Sequence, residues 1–166
     1  MRFGDFLKAT VLLCAAAATL LAALALIGLS RDDAEPEQTY VSAGWWTLAI
    51  LGGLWLGPRV GDTIARLLAT ARTQTSLPEL RPGVTLLNRL WPLLVFTLIA
   101  GVVALWLPQV AAIGAGFGIL GAVAWRREEA AVAAIEERDG VRFYIDNTSP
   151  LQPIRLIRTP GFGVQY

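Results

Sequence analysis

The chain has 166 residues, of which 55% are hydrophobic and 16% are charged, and its net charge is +1. This usage is more apolar and less charged than that of soluble globular domains, so it indicates a membrane protein of one domain's length. The absence of histidine excludes imidazole-ligated haem and histidine-based catalytic triads, and a single cysteine excludes an internal disulfide.

The first long apolar segment runs from Ala9 to Leu29 and contains no charged residue. It is long enough to cross a bilayer as one helix. A cleaved signal peptide is the alternative, because Gly28 and Ser30 offer small residues near its end. The apolar core of a signal peptide usually runs about 7–15 residues, so the length favours an uncleaved span over 9–29.

A second apolar segment covers 41–57, and its tryptophans, Trp45, Trp46 and Trp55, are typical of membrane interfaces. Pro58 is expected to end or kink this span. The following residues, 58–73, have the pattern of an amphipathic helix lying in the membrane interface. Its Arg59, Arg66 and Arg72 would then contact anionic lipid headgroups. The alternative is that this helix continues the second span into the cytosol.

The longest uncharged stretch, Leu90 to Trp125, follows an irregular segment predicted over Gln74–Asn88. As one helix it would measure about 54 Å, far more than a hydrocarbon core of about 30 Å. A turn at Leu107-Pro108-Gln109 divides it, so the sequence predicts a hairpin of two spans, 90–107 and 109–125.

Small residues recur at intervals of four in the last span, at Gly114, Gly118 and Ala122. This spacing lets helix backbones approach closely in lipid, and the first span offers a matching small face at Cys14, Ala18 and Ala22. A glycine-rich phosphate loop is rejected for the same segment, because no strand precedes it and it lies at membrane depth.

The remaining residues, 126–166, are predicted to form a tail outside the membrane. A helix continues through Arg126–Glu137 with its acids on a solvated face, and Asp139-Gly140 ends it. Val141–Ile145 and Ile154–Ile157 alternate like two strands of a hairpin, with a turn over Asp146–Pro150. A lone hairpin is marginal in water, so we expect Phe143, Tyr144, Ile154 and Ile157 to cover a partner protein or, alternatively, to pack on this chain's own central loop.

Charge distribution predicts the orientation. Residues 58–89 carry five arginines against two acids, whereas residues 30–44 carry one arginine against four acids. By the positive-inside rule, both termini and the central loop face the cytoplasm. The predicted fold is therefore an all-α integral membrane protein of a bacterial cytoplasmic membrane, with four spans in two hairpins over 1–125, an interfacial helix, and a cytoplasmic tail with a possible β-hairpin.

No catalytic, metal or cofactor motif emerges from these residues, and no nucleic-acid partner is predicted. The favoured function is a non-catalytic accessory, scaffold or anchor subunit that binds anionic inner-leaflet lipid and a protein partner or a second copy. One alternative is a transporter or channel subunit, although the spans carry no acidic or basic residue. The other is a headgroup-binding enzyme that uses Asp62 and Arg66, a pair more simply interpreted as a surface helix pair.

Overall fold

The structure is a computed structural model that describes residues 1–30, 36–73, 82–146 and 154–160. The chain is mostly helical, with a small sheet near its C-terminal end, so the predicted combination of apolar helices and a small strand region is confirmed. In chain order the elements are α1 Phe3–Leu29, α2 Pro36–Ala69, β1 Arg72–Thr73, α3 Pro82–Val103, α4 Pro108–Trp125, α5 Glu128–Asp139, β2 Val141–Ile145 and β3 Leu156–Pro160.

The helix α2 corresponds to the alternative of one continuous helix, because it continues through Pro58 and joins the expected second span to the expected amphipathic helix. Pro58 cannot donate a backbone hydrogen bond, which weakens one turn. Three glycines at intervals of four, Gly53, Gly57 and Gly61, hold the helix against α4 and α5 on both sides of that turn. Packing therefore maintains a single helix where the local sequence predicts an end.

The predicted helical hairpin is present, with shifted boundaries. The helix α3 begins at Pro82, inside the segment expected to be irregular, and it ends at Val103. Proline is favoured at the first helical position, where its missing N–H has no intrahelical partner. A turn leads to Pro108, which begins α4 in the same way. The chain therefore reverses next to Pro108, as the sequence predicts. The helix α3, however, ends at Val103, four residues before the predicted end of its span.

The tail folds into α5, β2 and β3, and these two strands form a three-stranded sheet with β1 in the order β1-β3-β2. As expected, α5 ends at Asp139, and Gly140 adopts φ +60° and donates its N–H to the Glu136 carbonyl. The strand β2 has its predicted bounds, whereas β3 begins two residues later than predicted. The two pair antiparallel, and β1 adds a parallel partner to β3 that the sequence does not predict. The predicted turn over Asp146–Pro150 lies largely outside the described residues.

Two hydrophobic cores divide the molecule. We call the uncharged ranges 9–29, 38–58 and 90–125 the bundle, and the adjoining ranges 1–8, 59–73, 82–89, 126–146 and 154–160 the cap. In the bundle, α4 is central, with α1 and α2 packed along it. The cap core gathers the start of α1, the end of α2, the first half of α3, α5 and the sheet. Its largest buried side chains include Phe3, Phe6, Phe143, Ile64 and Leu156.

Candidate lipid-contact site

The bundle presents an apolar surface without charge. Large hydrophobic side chains are exposed along it, among them Leu48, Leu51, Leu98, Ile99 and Phe117. In the described part of the chain, three helical runs are long and apolar enough to cross a membrane: Phe3–Leu29, Gly83–Val103 and Pro108–Asp139, the last comprising α4 and α5. These three runs, together with the exposed apolar side chains, indicate a membrane protein.

The predicted packing residues of α4 lie at a close approach to α1. A methyl group placed on Gly118 would lie 2.9 Å from Ala18 Cβ and 3.0 Å from the carbonyl oxygen of Cys14. A methyl group on Gly114 would lie 2.9 Å from Leu21 Cδ1. The third predicted residue, Ala122, is half-buried. The backbones of α1 and α4 are therefore so close at Gly118 that no side chain fits between them.

Two adjacent tryptophans fix α2 to the start of α4. Trp46 Nε1 donates to the Ala112 carbonyl at 2.8 Å, and Trp45 Nε1 donates to the Ile113 carbonyl at 3.2 Å. The Trp45 ring occupies the space that a side chain at Gly116 would need. An indole N–H at membrane depth requires an acceptor, and here the backbone of α4 supplies it.

Four threonines of the bundle are satisfied inside their own helices. The hydroxyls of Thr10, Thr19, Thr47 and Thr97 each donate to the carbonyl four residues earlier, at 2.8–2.9 Å. This back-bonding is the usual arrangement for a threonine in an apolar helix. None of the four hydroxyls therefore needs a polar partner from a neighbouring helix.

The predicted headgroup arginines lie where α2 leaves the bundle. The Arg59 guanidinium lies over the Trp55 ring, 3.6 Å from its centroid, and Arg66 is exposed seven residues later. Seven residues are nearly two helical turns, so the two arginines share one face about 10 Å apart. Arg72 belongs to a different element, β1, where it is also exposed. Asp62 is exposed on α2 as well.

Two of the predicted partner-binding side chains, Phe143 and Ile154, belong to the cap core, whereas Tyr144 and Ile157 lie opposite each other in the β2–β3 pair. Phe143 is 2% exposed, Ile157 2% and Tyr144 9%, while Ile154 is half-buried. Phe143 and Ile154 belong to one hydrophobic cluster with side chains of α1, α2 and α5, and β1 within the central segment pairs directly with β3. The burial of Phe143, Tyr144 and Ile157 within this chain corresponds to the alternative expectation, and contact with a partner stays a prediction.

Two acids of α5 are buried, which corrects the expectation of a solvated acidic face. Glu136 accepts hydrogen bonds from the Phe143 N–H at 2.9 Å and from Arg142 Nη1 at 3.2 Å. Glu128 is 6% exposed and faces Gly61, and burial raises the pKa of its carboxyl group. A spacing in the sequence could have indicated that these two acids share a buried face, because Glu128, Val132 and Glu136 recur at intervals of four along the helix.

Within the described ranges, no group of three or more cysteine, aspartate or glutamate side chains is arranged to hold a metal ion. Comparison with protein-family models, with curated proteins and with solved structures finds no match to this chain. The features that bear on the function of this chain are therefore the bundle, the cap, and Arg59 and Arg66 where α2 leaves the bundle.

Proposed function

We propose that the chain crosses the cytoplasmic membrane of a bacterium four times, with both termini and the cap in the cytoplasm. The added span is α2. Its contacts advance in the same direction along α2 and along α4 and α5, from Trp45 at Ile113, through Gly53 at Val123, to Gly61 at Glu128 in α5. A helix that follows a membrane-spanning helix over this length crosses the same depth of lipid.

Two further features support this topology. The helix α1 runs antiparallel to α4, since Gly28 meets Pro108 while Ala18 meets Gly118. Successive helices therefore alternate in direction, as four spans must. In all four helices the end that carries arginine or lysine lies at the cap, which is the distribution that the positive-inside rule expects on the cytoplasmic side.

Single cysteines in a Cys14→Ser background test the number of spans. Glu37 and Asp62 are exposed near the two ends of the uncharged part of α2, and Glu137 is exposed on α5. An impermeant maleimide applied to intact cells should label Glu37→Cys, whereas Asp62→Cys and Glu137→Cys should react only after permeabilisation. Labelling of positions 37 and 62 from the same side would refute a crossing by α2.

The biochemical role that we propose is that of a non-catalytic accessory, scaffold or anchor subunit. One observation carries it: the cap core is built from the ends of three bundle helices together with α5 and the sheet. Such a shared core attaches a folded cytoplasmic surface rigidly to the membrane domain. In this proposal, exposed residues of the cap contact a protein partner or a second copy, because the four residues expected for that role are occupied within the chain.

Anionic lipid is the second proposed ligand, and Arg59 and Arg66 would contact it. Each basic residue near an anionic surface contributes roughly 1 kcal/mol. Replacing both by glutamine should therefore lower the preference for phosphatidylglycerol over phosphatidylcholine in nanodiscs by about tenfold or more. Arg138→Gln is the matched control, since Arg138 is exposed but pairs with Asp139 at 2.8 Å on α5. An unchanged preference in the double variant would contradict the lipid part of the proposal.

The partner part is tested by the mass of the complex. Arg126 and Arg127 are exposed at the turn between α4 and α5. Protein extracted in mild detergent should run as an assembly larger than one copy, and alanine at both positions should release the additional component without loss of helix content. A wild-type particle containing one copy and no other protein would show that the cap has no partner under these conditions and would contradict the proposal.

A further inference from the structure

A cavity of about 330 Å³ opens between α2 and α4 at the junction of the bundle and the cap. Leu56, Val60 and Ile64 line it from α2, and Leu120 and Trp125 line it from α4. The residues Leu56 and Leu120 belong to the uncharged bundle, whereas Ile64 belongs to the cap core. The cavity therefore extends across the level at which the uncharged part of the molecule ends.

Among the described residues that line this cavity, the polar side chains are those of Arg59 and Thr63. The Thr63 hydroxyl donates to the Arg59 carbonyl at 3.1 Å, so its proton is already engaged. The Arg59 guanidinium lies on the face of Trp55, and Trp55 is 65% exposed beside it. An apolar cleft thus has one cation at its mouth, held by an aromatic ring typical of the membrane interface.

We propose that this cleft binds one anionic phospholipid, with an acyl chain between α2 and α4 and the phosphate on the Arg59 guanidinium. The charge at the mouth selects an anion, and the apolar lining selects a hydrocarbon chain. A guanidinium presents several N–H donors in a plane and matches phosphate oxygens geometrically. The proposal rests on the proposed lipid contact of Arg59 and adds to it a specific site for the chain.

The energetics differ between the two ends of the lipid. An acyl chain that leaves the bilayer for this cleft exchanges one apolar environment for another, so it gains packing rather than hydrophobic free energy. Contacts with the acyl chain should therefore control how long a lipid is retained, while Arg59 controls which headgroup is preferred. These two effects can be separated by two different substitutions.

Val60→Trp fills the cleft, and Ala65→Trp is its matched control on the same helix, because Ala65 is exposed and does not line the cavity. Protein released from nanodiscs containing equal amounts of phosphatidylglycerol and phosphatidylcholine is analysed by native mass spectrometry. The wild type and Ala65→Trp should retain one phosphatidylglycerol, and Val60→Trp should retain at least tenfold less. Arg59→Gln should still retain a lipid, but its preference for phosphatidylglycerol should fall about fivefold.

The outcomes distinguish the cleft from the general lipid contact. Retention by Val60→Trp at the wild-type level would overturn the cleft, even if Arg59→Gln and Arg66→Gln still lowered the anionic preference and so supported the proposed function. A wild type that retains both lipids equally would overturn the phosphate contact and also the proposed headgroup role. If Val60→Trp fails to fold, Leu56→Trp repeats the test, since Leu56 lines the cavity from outside the cap core.

Discussion

The bundle and the cap are stabilised by opposite kinds of side chain. Buried positions of the bundle are mainly alanine and glycine, such as Ala18, Ala25, Ala115 and Gly118, while most of its leucines and both of its phenylalanines are exposed. The cap reverses this pattern, because Phe3, Phe6 and Phe143 are buried and its charged residues are mostly exposed. One chain therefore uses two packing rules within the same helices.

The difference follows from the solvent of each region. In water, burial of large apolar side chains is the main favourable term in folding, so the cap places them inside. In lipid, burial of a leucine gains little, because the lipid tails are equally apolar. Helices then associate through close backbone contact, which small residues allow. The change occurs within α1, where Phe3 and Leu7 pack as in a soluble protein and Ala18 packs as in a membrane protein.

The largest expected effect comes from shortening a buried side chain of the cap. Phe3 is 1% exposed, so Phe3→Ala should lower the free energy of unfolding by about 3–5 kcal/mol. The control is Leu98→Ala in the bundle, where Leu98 is 68% exposed and the change should cost roughly 0.5 kcal/mol. Chemical denaturation in detergent, followed by circular dichroism, measures both. Equal losses in the two variants would contradict the division into two packing rules.

The next effect comes from enlarging a small residue of the bundle. Any side chain at Gly118 meets Ala18 and the Cys14 carbonyl, so Gly118→Leu should force α1 and α4 apart and cost about 1–3 kcal/mol or more. Ile119→Leu, one residue along and half-buried, conserves volume and should change stability by less than about 1.5 kcal/mol. The same denaturation experiment compares them. If both substitutions are tolerated equally, the contact at Gly118 does not stabilise the bundle.

The sequence predicts features that depend on neighbouring residues and misses those that depend on distant contacts. Charge-free runs predict the apolar helices, and the alternation over Val141–Ile145 predicts β2, because both signals are local. The continuity of α2 depends on α4 and α5 contacting Gly53, Gly57 and Gly61, and nothing near Pro58 reveals it. The strand β1 has only two residues, and its partner lies at the far end of the chain.

The site residues divide in the same way. The exposure of Arg59 and Arg66 follows from the amphipathic pattern of α2, which the sequence contains. The burial of Phe143, Tyr144 and Ile157 depends on which distant segments cover the sheet, and no local pattern reveals those segments. The sequence allows these residues either to cover a partner protein or to pack on this chain's own central loop. The choice between the two depends on packing across the whole chain.

The smallest expected effect concerns a charge in the cap. The carboxyl group of Glu128 is buried against Gly61, and this burial raises its pKa above the ordinary value of 4.5. The folded state therefore holds this proton more tightly than the unfolded state does. Its contribution to stability is complete below the unfolded pKa and is lost as the pH rises through the folded pKa.

Glu128→Gln removes this titration, so the thermal unfolding temperature of the wild type should fall relative to that of the variant as the pH is raised from 4 towards 8. The amide also loses the favourable contact of a negative charge with the start of α5, which offsets part of the gain at neutral pH. That contact makes the slope with pH, rather than the difference at one pH, the decisive quantity. Glu137→Gln is the control, because Glu137 is exposed on the same helix and should leave the slope unchanged. A wild type and a Glu128→Gln variant with parallel pH profiles would mean that the carboxylate is solvated, and the cap would then be less tightly closed around α5 than its core of large side chains implies.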